Sequence, residues 1–181
     1  MAKKRKLPSG GPRAQSRRTV VHMYHGTAGI YGDTIRKEGI KPFRQSGAVY
    51  LTSAKEKALA YAKAWAVGLH VVGEAPAPHG VVLTIAVDGQ TKCRKEQRCD
   101  YRLPTPILPG QIVDVEPHDF SDLGEVERAG HLANFVGILG WGADPYVGDV
   151  RWQAIYEKAL SALKALPEEI VQEGMRLTPA V

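Results

Sequence analysis

Cysteine is scarce in this sequence, and no long apolar run occurs in it. The two cysteines, Cys93 and Cys99, lie in one polar stretch and are too few for a disulfide framework or a complete zinc site. No apolar segment approaches the roughly 20 residues that a helix needs to cross a bilayer, and none follows the basic N-terminus as it would in a signal peptide. We therefore expect an intracellular, cytoplasmic protein whose thiols stay reduced.

Acidic residues are missing from the first 18 positions, which contain seven cations: Lys3, Lys4, Arg5, Lys6, Arg13, Arg17 and Arg18. The whole chain has a net charge of +5, so the remaining residues carry −2 and are not intrinsically basic. Because glycine and proline separate these cations, residues 1–18 are predicted to form a disordered tail. Such a tail either binds nucleic acid or another polyanion, or serves as a solubilising leader without a partner.

The remaining 163 positions have an ordinary apolar content and are predicted to form an α+β domain. Four segments have the composition of β-strands: Thr19–Tyr24, Gly47–Leu51, Val81–Val87 and Gln111–Glu116. The first of them is expected to present His25 at its end. A stretch rich in glycine, proline and histidine, residues 68–80, is predicted to be an exposed loop.

Two helices are predicted among these strands. A short helix over 33–38 has Asp33 as its N-cap and Gly39 as its stop. A longer helix follows a capping box formed by Ser53 and Glu56. One face of this helix, which we expect to be buried, contains Ala58, Tyr61, Ala62 and Trp65.

After residue 120 the pattern becomes helical. The first helix of this part has apolar residues at Val126, Ala129, Ala133 and Val136 and should end within 137–142. Asp149 is expected to cap the second, and the last is expected to begin at Pro167 and end at Gly174. The predicted organisation is thus a tail over 1–18, a core over 19–120 and a helical C-terminal extension over 121–181 that packs on the core.

Several residues of the core suggest a binding site. His25, Gly26 and Thr27 follow the first strand, Tyr50 lies in the second strand, and Tyr61 lies on the helix after it. An imidazole, an exposed glycine backbone and two phenol rings around one cleft suit a flat heteroaromatic ring that carries an amide, such as nicotinamide. Taken singly, each residue has an ordinary structural explanation, since Tyr61 with Trp65 is also the pattern of a packed helix face.

In their order, these motifs resemble the ADP-ribosyltransferase fold over about residues 20–116. The resemblance is to the His-Tyr-acid branch, which contains poly(ADP-ribose) polymerases, diphtheria-type toxins and rifampin ADP-ribosyltransferases. It implies a split β-sheet core, NAD as the co-substrate and no metal. Compact transferases of this kind serve as toxins, phage-encoded effectors or resistance enzymes, so association with a virion or delivery into a host cell is also compatible with the sequence.

The resemblance also implies a role for each matching residue. His25 would hydrogen-bond a hydroxyl of the adenosine ribose, and the backbone of Gly26 would pair with the nicotinamide carboxamide, with Thr27 completing the NAD-binding motif. Tyr50 would flank the nicotinamide ribose, and Tyr61 would stack on the ring. Asp100 occupies the position of the family's catalytic carboxylate, with Glu96 and Gln111 as alternatives.

The reaction implied is the transfer of one ADP-ribose. Polymerase members have a serine at the position of Ala58, and alanine cannot bind the carboxamide, so polymer synthesis is not favoured. The basic tail favours a macromolecular acceptor, protein or nucleic acid, and a small molecule remains an alternative.

Two other functions fit parts of the pattern. RNA 2′-phosphotransferases also open with His-Gly-Thr, but they have a histidine at the position of Tyr50 and use several arginines, of which only Arg44 lies near this strand in the sequence. The second alternative is a non-catalytic module of this fold that acts as a polyanion-binding or structural protein. Metal catalysis is not expected, because His22 and His25 point to opposite faces of a strand and the other histidines lack ligand spacing.

Overall fold

The structure is a computed structural model that describes residues 19–42, 47–89, 101–140 and 150–178. Within these ranges the chain is a mixed helix and strand protein with five strands and five α-helices. The strands are β1 (Val20–Ala28), β2 (Val49–Leu51), β3 (His79–Asp88), β4 (Tyr101–Leu103) and β5 (Ile112–Asp119). The helices are α1 (Gly32–Glu38), α2 (Lys55–Val71), α3 (Glu125–Gly140), α4 (Val150–Lys164) and α5 (Glu168–Leu177).

The strands form two antiparallel sheets. The larger sheet has the order β1-β3-β5, and the smaller pairs β2 with β4. Within the described ranges, one bridged pair joins the two sheets: Tyr24 and Thr52 exchange both backbone hydrogen bonds, at 2.8 and 2.9 Å. Beyond this pair the ladder between β1 and β2 does not continue. The opening that follows, bounded by Gly26 on β1 and Tyr50 on β2, is the sheet gap.

The two faces of β1 have different neighbours. Met23 belongs to an apolar cluster with Val49, Leu51 and Leu83, so the face shared by Met23 and His25 is directed toward the core beneath α1. The opposite face, which contains Tyr24 and Gly26, is covered by α2. Since side chains of a bridged antiparallel pair lie on the same face, Thr52 and therefore Tyr50 are also on the α2 side.

The first strand is longer than the sequence pattern suggests. β1 runs through His25 to Ala28, so His25 lies inside the strand and not at its end. The pairing of Ala28 with Gly80 of β3 provides the reason, because β3 is long enough to extend the ladder past the motif. The strand predicted over 81–87 is confirmed as part of β3.

The helix starts also differ from the prediction. Asp33 lies in the first turn of α1, whose N-cap is Tyr31, whereas the stop at Gly39 is confirmed by its φ of 79°. The predicted capping box at Ser53 and Glu56 is wrong: the N-cap of α2 is Ala54, which makes no side-chain capping bond. The Oγ1 of Thr52 instead accepts the amide of Ala54 at 3.2 Å and fixes the turn that precedes α2.

The segment predicted as a loop over 68–80 is partly helical. α2 continues to Val71, and Gly68 is an interior helical residue. A Cβ at Gly68 would lie 2.1 Å from the ring of Phe135 on α3, so the glycine permits close packing of two helices. The predicted face of α2 is also divided, because Ala58 and Ala62 face β1 while Trp65 packs edge-on against Phe135 and Trp152, with ring centroids 5.3 and 5.6 Å apart.

The C-terminal helices pack on α2 and on one another. α3 and α4 share an apolar cluster with α2, and α5 lies across α3. Gly174 lies inside α5 and does not end it, because its Cβ position is 2.4 Å from the carbonyl oxygen of Val126 and 2.6 Å from the amide of Gly130. Asp149 lies outside the described residues. In the described part of the chain, no helix combines the length and apolarity that crossing a membrane requires.

Candidate functional site

The sheet gap is shaped by a hydrogen bond from a side chain to the facing strand. The Nδ1 atom of His25 lies 2.9 Å from the carbonyl oxygen of Tyr50. A carbonyl oxygen only accepts, so Nδ1 must be the protonated ring nitrogen and must donate. The other nitrogen, Nε2, is then a hydrogen-bond acceptor in the neutral ring.

The environment of His25 keeps its imidazole neutral. Desolvation by the surrounding protein lowers the pKa of His25 below its ordinary value of 6.5, and the hydrogen bond to the Tyr50 carbonyl opposes this shift only in part. At neutral pH the ring therefore offers a donor to Tyr50 and an acceptor to a ligand hydroxyl.

Gly26 presents its backbone to the same gap. In an antiparallel ladder the backbone groups of alternate residues point to the same edge. Tyr24 directs its N–H and C=O away from β3 toward Thr52, so Gly26, two residues later, directs its N–H and C=O toward the gap. In a continued ladder Tyr50 would be its partner, but the Tyr50 carbonyl is taken by the His25 side chain. The gap therefore contains one backbone donor and one backbone acceptor side by side.

Helix α2 packs directly against Gly26. A Cβ at this position would lie 1.7 Å from the carbonyl oxygen of Ala58 and 2.9 Å from the amide nitrogen of Ala62. Glycine is thus required here by the contact between strand and helix, in addition to any ligand. Tyr61 follows Ala58 by three residues on this helix and is half-buried. The structure brings the imidazole of His25, Gly26 and the backbone of Tyr50 together, with Tyr61 on the adjoining helix. The imidazole and the phenol of Tyr50, which were expected to share one cleft, start from opposite faces of the sheet, because His25 lies on the face of Met23 and Tyr50 on the α2 side.

The remaining candidates are placed less directly. Thr27 is buried in β1 and lies on the His25 face, away from α2. Asp100 and Glu96 lie outside the described residues, but Tyr101, the residue after Asp100, pairs with Leu51. Gln111 has a structural role, since its Oε1 accepts the amide of Leu108 at 2.9 Å and its Nε2 donates to the carbonyl of Ala86 at 3.5 Å.

Arg102 is a residue of this region that sequence reasoning missed. It stands directly opposite Tyr50 in the pairing of β2 with β4. Its position in the sequence, 52 residues after Tyr50, gives no sign of this proximity. Tyr101 and Leu103 both pack in the main apolar cluster, so Arg102, which lies between them, faces away from that core.

A groove lies elsewhere on the molecule, and the described residues show no metal-ligand cluster. An open groove of about 640 Å³ lies past the end of β1, between α1 and the ends of β3 and β5; its described lining includes Ile30, Arg36 and Asp119 but not His25 or the tyrosines of the sheet gap. Across the described ranges, no three His, Cys, Asp or Glu side chains are grouped so that they would hold a metal ion.

Family models, curated proteins and solved structures were each compared with the chain, and none of them matches it.

Proposed function

We propose that this chain cleaves the bond between nicotinamide and ribose in NAD and transfers one ADP-ribose to an acceptor. The observation that carries the proposal is the backbone edge of Gly26, which has no backbone partner on β2 among the described residues, while the Tyr50 carbonyl that would face it is bonded to the His25 side chain. A carboxamide has an N–H donor and a C=O acceptor, and it complements the adjacent C=O and N–H of one residue in an extended strand.

The side chains around this edge suit the rest of the dinucleotide. The Nε2 acceptor of His25 can receive a ribose hydroxyl, and the phenol of Tyr50 lies on the same side of the sheet as α2, which carries Tyr61. Two aromatic rings that flank an electron-poor pyridinium stabilise it through their π-faces. The backbone edge and these side chains support a nicotinamide nucleoside as the ligand.

The reaction needs a carboxylate near the ribose. Loss of nicotinamide develops positive charge on the sugar, as in glycoside hydrolysis, and a nearby anion stabilises that transition state. We assign this role to Asp100, which occupies the position of the catalytic carboxylate in the family that the sequence resembles and which itself lies outside the described residues. Loss of a preorganised stabilising group costs about 10²- to 10³-fold in rate.

The test is release of nicotinamide from NAD by the purified full chain. Asp100→Asn is expected to lower the rate about 100-fold or more while NAD binding is retained. Asp122→Asn, a change to an exposed aspartate at the start of the helical part, is the matched control and should keep the wild-type rate. NAD binding with no turnover by the wild-type chain would instead support the non-catalytic module, and absence of NAD binding would refute the proposal.

The acceptor is a separate question. Incubation with labelled NAD and a cell lysate, followed by separation into protein, nucleic-acid and small-molecule fractions, identifies its class. We expect label in a macromolecular fraction, and weaker labelling when residues 1–18 are removed, because the seven cations of that segment would attract a polyanionic acceptor. Unchanged labelling of nucleic acid without the segment would show that the tail has no such role.

A second candidate is a 2′-phosphotransferase acting on RNA, which the position of Arg102 favours. The sequence alone placed only Arg44 near the tyrosine strand, whereas the sheet pairing puts a guanidinium opposite Tyr50. An oligonucleotide with an internal 2′-phosphate, incubated with the chain and NAD, tests this reaction. Loss of the 2′-phosphate from the RNA would favour this candidate over ADP-ribose transfer to other acceptors.

A further inference from the structure

The relation between Tyr50 and Arg102 can be defined from the backbone bonds around them. Thr52 directs its N–H and C=O toward Tyr24 on β1, so Tyr50, two residues earlier, also directs its backbone groups toward β1. The bond from His25 to the Tyr50 carbonyl agrees with this orientation. Tyr50 and Arg102 are therefore a non-hydrogen-bonded pair of the small sheet, the kind in which facing side chains approach most closely.

The two side chains also share the face of the sheet that bears the gap. Val49 and Leu103, which pair with each other next to them, are buried in the apolar cluster on the other face. Tyr50 and Arg102 consequently project to the α2 side, where Gly26 and Tyr24 also lie. Arg102 is half-buried there, so its charge is partly shielded from solvent and acts more strongly on a nearby anion than a fully exposed arginine would.

We propose that the guanidinium of Arg102 binds the pyrophosphate of the dinucleotide. The inference rests on the proposed function, which places the nicotinamide ribose beside Tyr50. In NAD the pyrophosphate is attached directly to that ribose, so it falls within reach of a long side chain on the neighbouring strand. A guanidinium has five N–H donors in a planar fork, which matches phosphate oxygens and leaves donors available even where one of them already has a protein partner.

The test compares NAD with nicotinamide riboside, a fragment that lacks both the pyrophosphate and the adenosine of NAD, and uses inorganic pyrophosphate to isolate the contribution of the phosphates. NAD contains the pyrophosphate, whereas nicotinamide riboside has the same ring and sugar without any phosphate. With the full chain, Arg102→Gln is expected to weaken NAD binding about 10- to 100-fold, as expected for loss of charge-assisted hydrogen bonds, and to leave nicotinamide riboside binding unchanged. Arg102→Lys should give an intermediate loss, because lysine keeps the charge but not the fork.

The matched control is Arg36→Gln, which removes an exposed arginine from the separate groove beyond β1 and should not change the affinity for NAD. Equal weakening of NAD and nicotinamide riboside by Arg102→Gln would show a purely structural role and overturn the inference, as would unchanged affinity for both ligands. Inorganic pyrophosphate provides a readout that does not depend on NAD. If the wild-type chain binds neither nicotinamide ligand, the proposed function fails. Loss of pyrophosphate binding in Arg102→Gln would still identify Arg102 as a phosphate-binding residue. Retained pyrophosphate binding in this variant would reject that role for Arg102.

Discussion

The imidazole of His25 and the carbonyl of Tyr50 are joined by a 2.9 Å hydrogen bond between strands of two different sheets. Two substitutions of His25 distinguish the contribution of this hydrogen bond to stability from the contribution of the imidazole to the proposed ligand binding. In His25→Asn the amide nitrogen can replace Nδ1 as the donor to Tyr50, but the acceptor at Nε2 is lost. We expect near-wild-type thermal stability and about a 10-fold loss in the rate of NAD cleavage.

His25→Phe is the companion variant, because it keeps a planar aromatic ring, somewhat larger than imidazole, and removes both polar atoms. The Tyr50 carbonyl then loses its partner, which costs about 1–3 kcal/mol of unfolding free energy. Calorimetry and nicotinamide release measure the two effects. Equal activity of His25→Asn and the wild type would exclude an acceptor role for Nε2.

The protonation state of His25 predicts how the rate of NAD cleavage changes at acidic pH. Its pKa is lowered from 6.5 by desolvation, so the neutral ring, which has the Nε2 acceptor, persists through neutral pH and is lost only as the pH falls below that value. We expect the rate of NAD cleavage to stay level from pH 8 to 6.5 and to decline at lower pH. A decline that begins well above 6.5 would contradict a lowered pKa for this group.

Substitution of Gly26 tests the packing of α2 on β1. In Gly26→Ala the new methyl group would lie 1.7 Å from the carbonyl oxygen of Ala58, so strand and helix must separate. We expect a loss of about 1–3 kcal/mol or more in the free energy of unfolding, measured by denaturant titration. Gly110→Ala is the control, since nothing lies within 4 Å of its Cβ position, and an equal loss in both variants would refute the assigned contact.

His131 predicts a pH dependence of stability. The residue is only 4% exposed, its Nδ1 has no hydrogen-bond partner among the described residues, and desolvation, together with the charge of Lys63, lowers its pKa to about 4. The unfolded chain binds this proton near pH 6.5, so acidification through the interval from 6.5 to 4 favours unfolding by at most about 3 kcal/mol. In His131→Leu, unfolding measured at pH 7 and pH 4.5 should show a smaller acid loss than in the wild type, and an identical loss would contradict the assignment.

The crossing of α3 and α5 depends on two glycines. A Cβ at Gly130 would lie 2.3 Å from the carbonyl oxygen of Gly174, and the Oγ1 of Thr178 donates to that same oxygen at 2.8 Å. We expect Gly130→Ala to lower the melting temperature. Gly137→Ala, on the same helix with nothing within 4 Å, should stabilise the fold by about 0.5–1 kcal/mol through helix propensity. Stabilisation by both variants would show that the helices do not approach closely at Gly130.

The sequence predicted the type of most elements because local periodicity determines it, as in strand β3 and helix α2. It misplaced Gly68 and Gly174, which it treated as a loop residue and a helix stop. Each of these glycines instead permits a close contact with another helix, and such a contact is a tertiary property. A local signal for glycine cannot distinguish a break in a helix from a close approach to one.

In the candidate site, too, local sequence motifs were informative and tertiary contacts could not be predicted. The motifs identified His25, Gly26 and Tyr50 as neighbours, and the structure brings them together at the sheet gap. The sequence could not reveal that Arg102 faces Tyr50, because this depends on the pairing of two three-residue strands that are distant along the chain. It also gave no sign that the His25 side chain replaces a backbone bond of the ladder.

That replacement has a consequence for how the site is maintained. Two antiparallel strands that share one bridged pair ordinarily continue the ladder. Here the amide of Gly26 would then donate to the carbonyl of Tyr50. The imidazole of His25 donates to that carbonyl instead, so the backbone ladder between the two sheets is interrupted after the pair Tyr24–Thr52. Gly26 itself is buried under α2, so a ligand that pairs with its backbone has to enter between the two strands and competes with closure of the sheet.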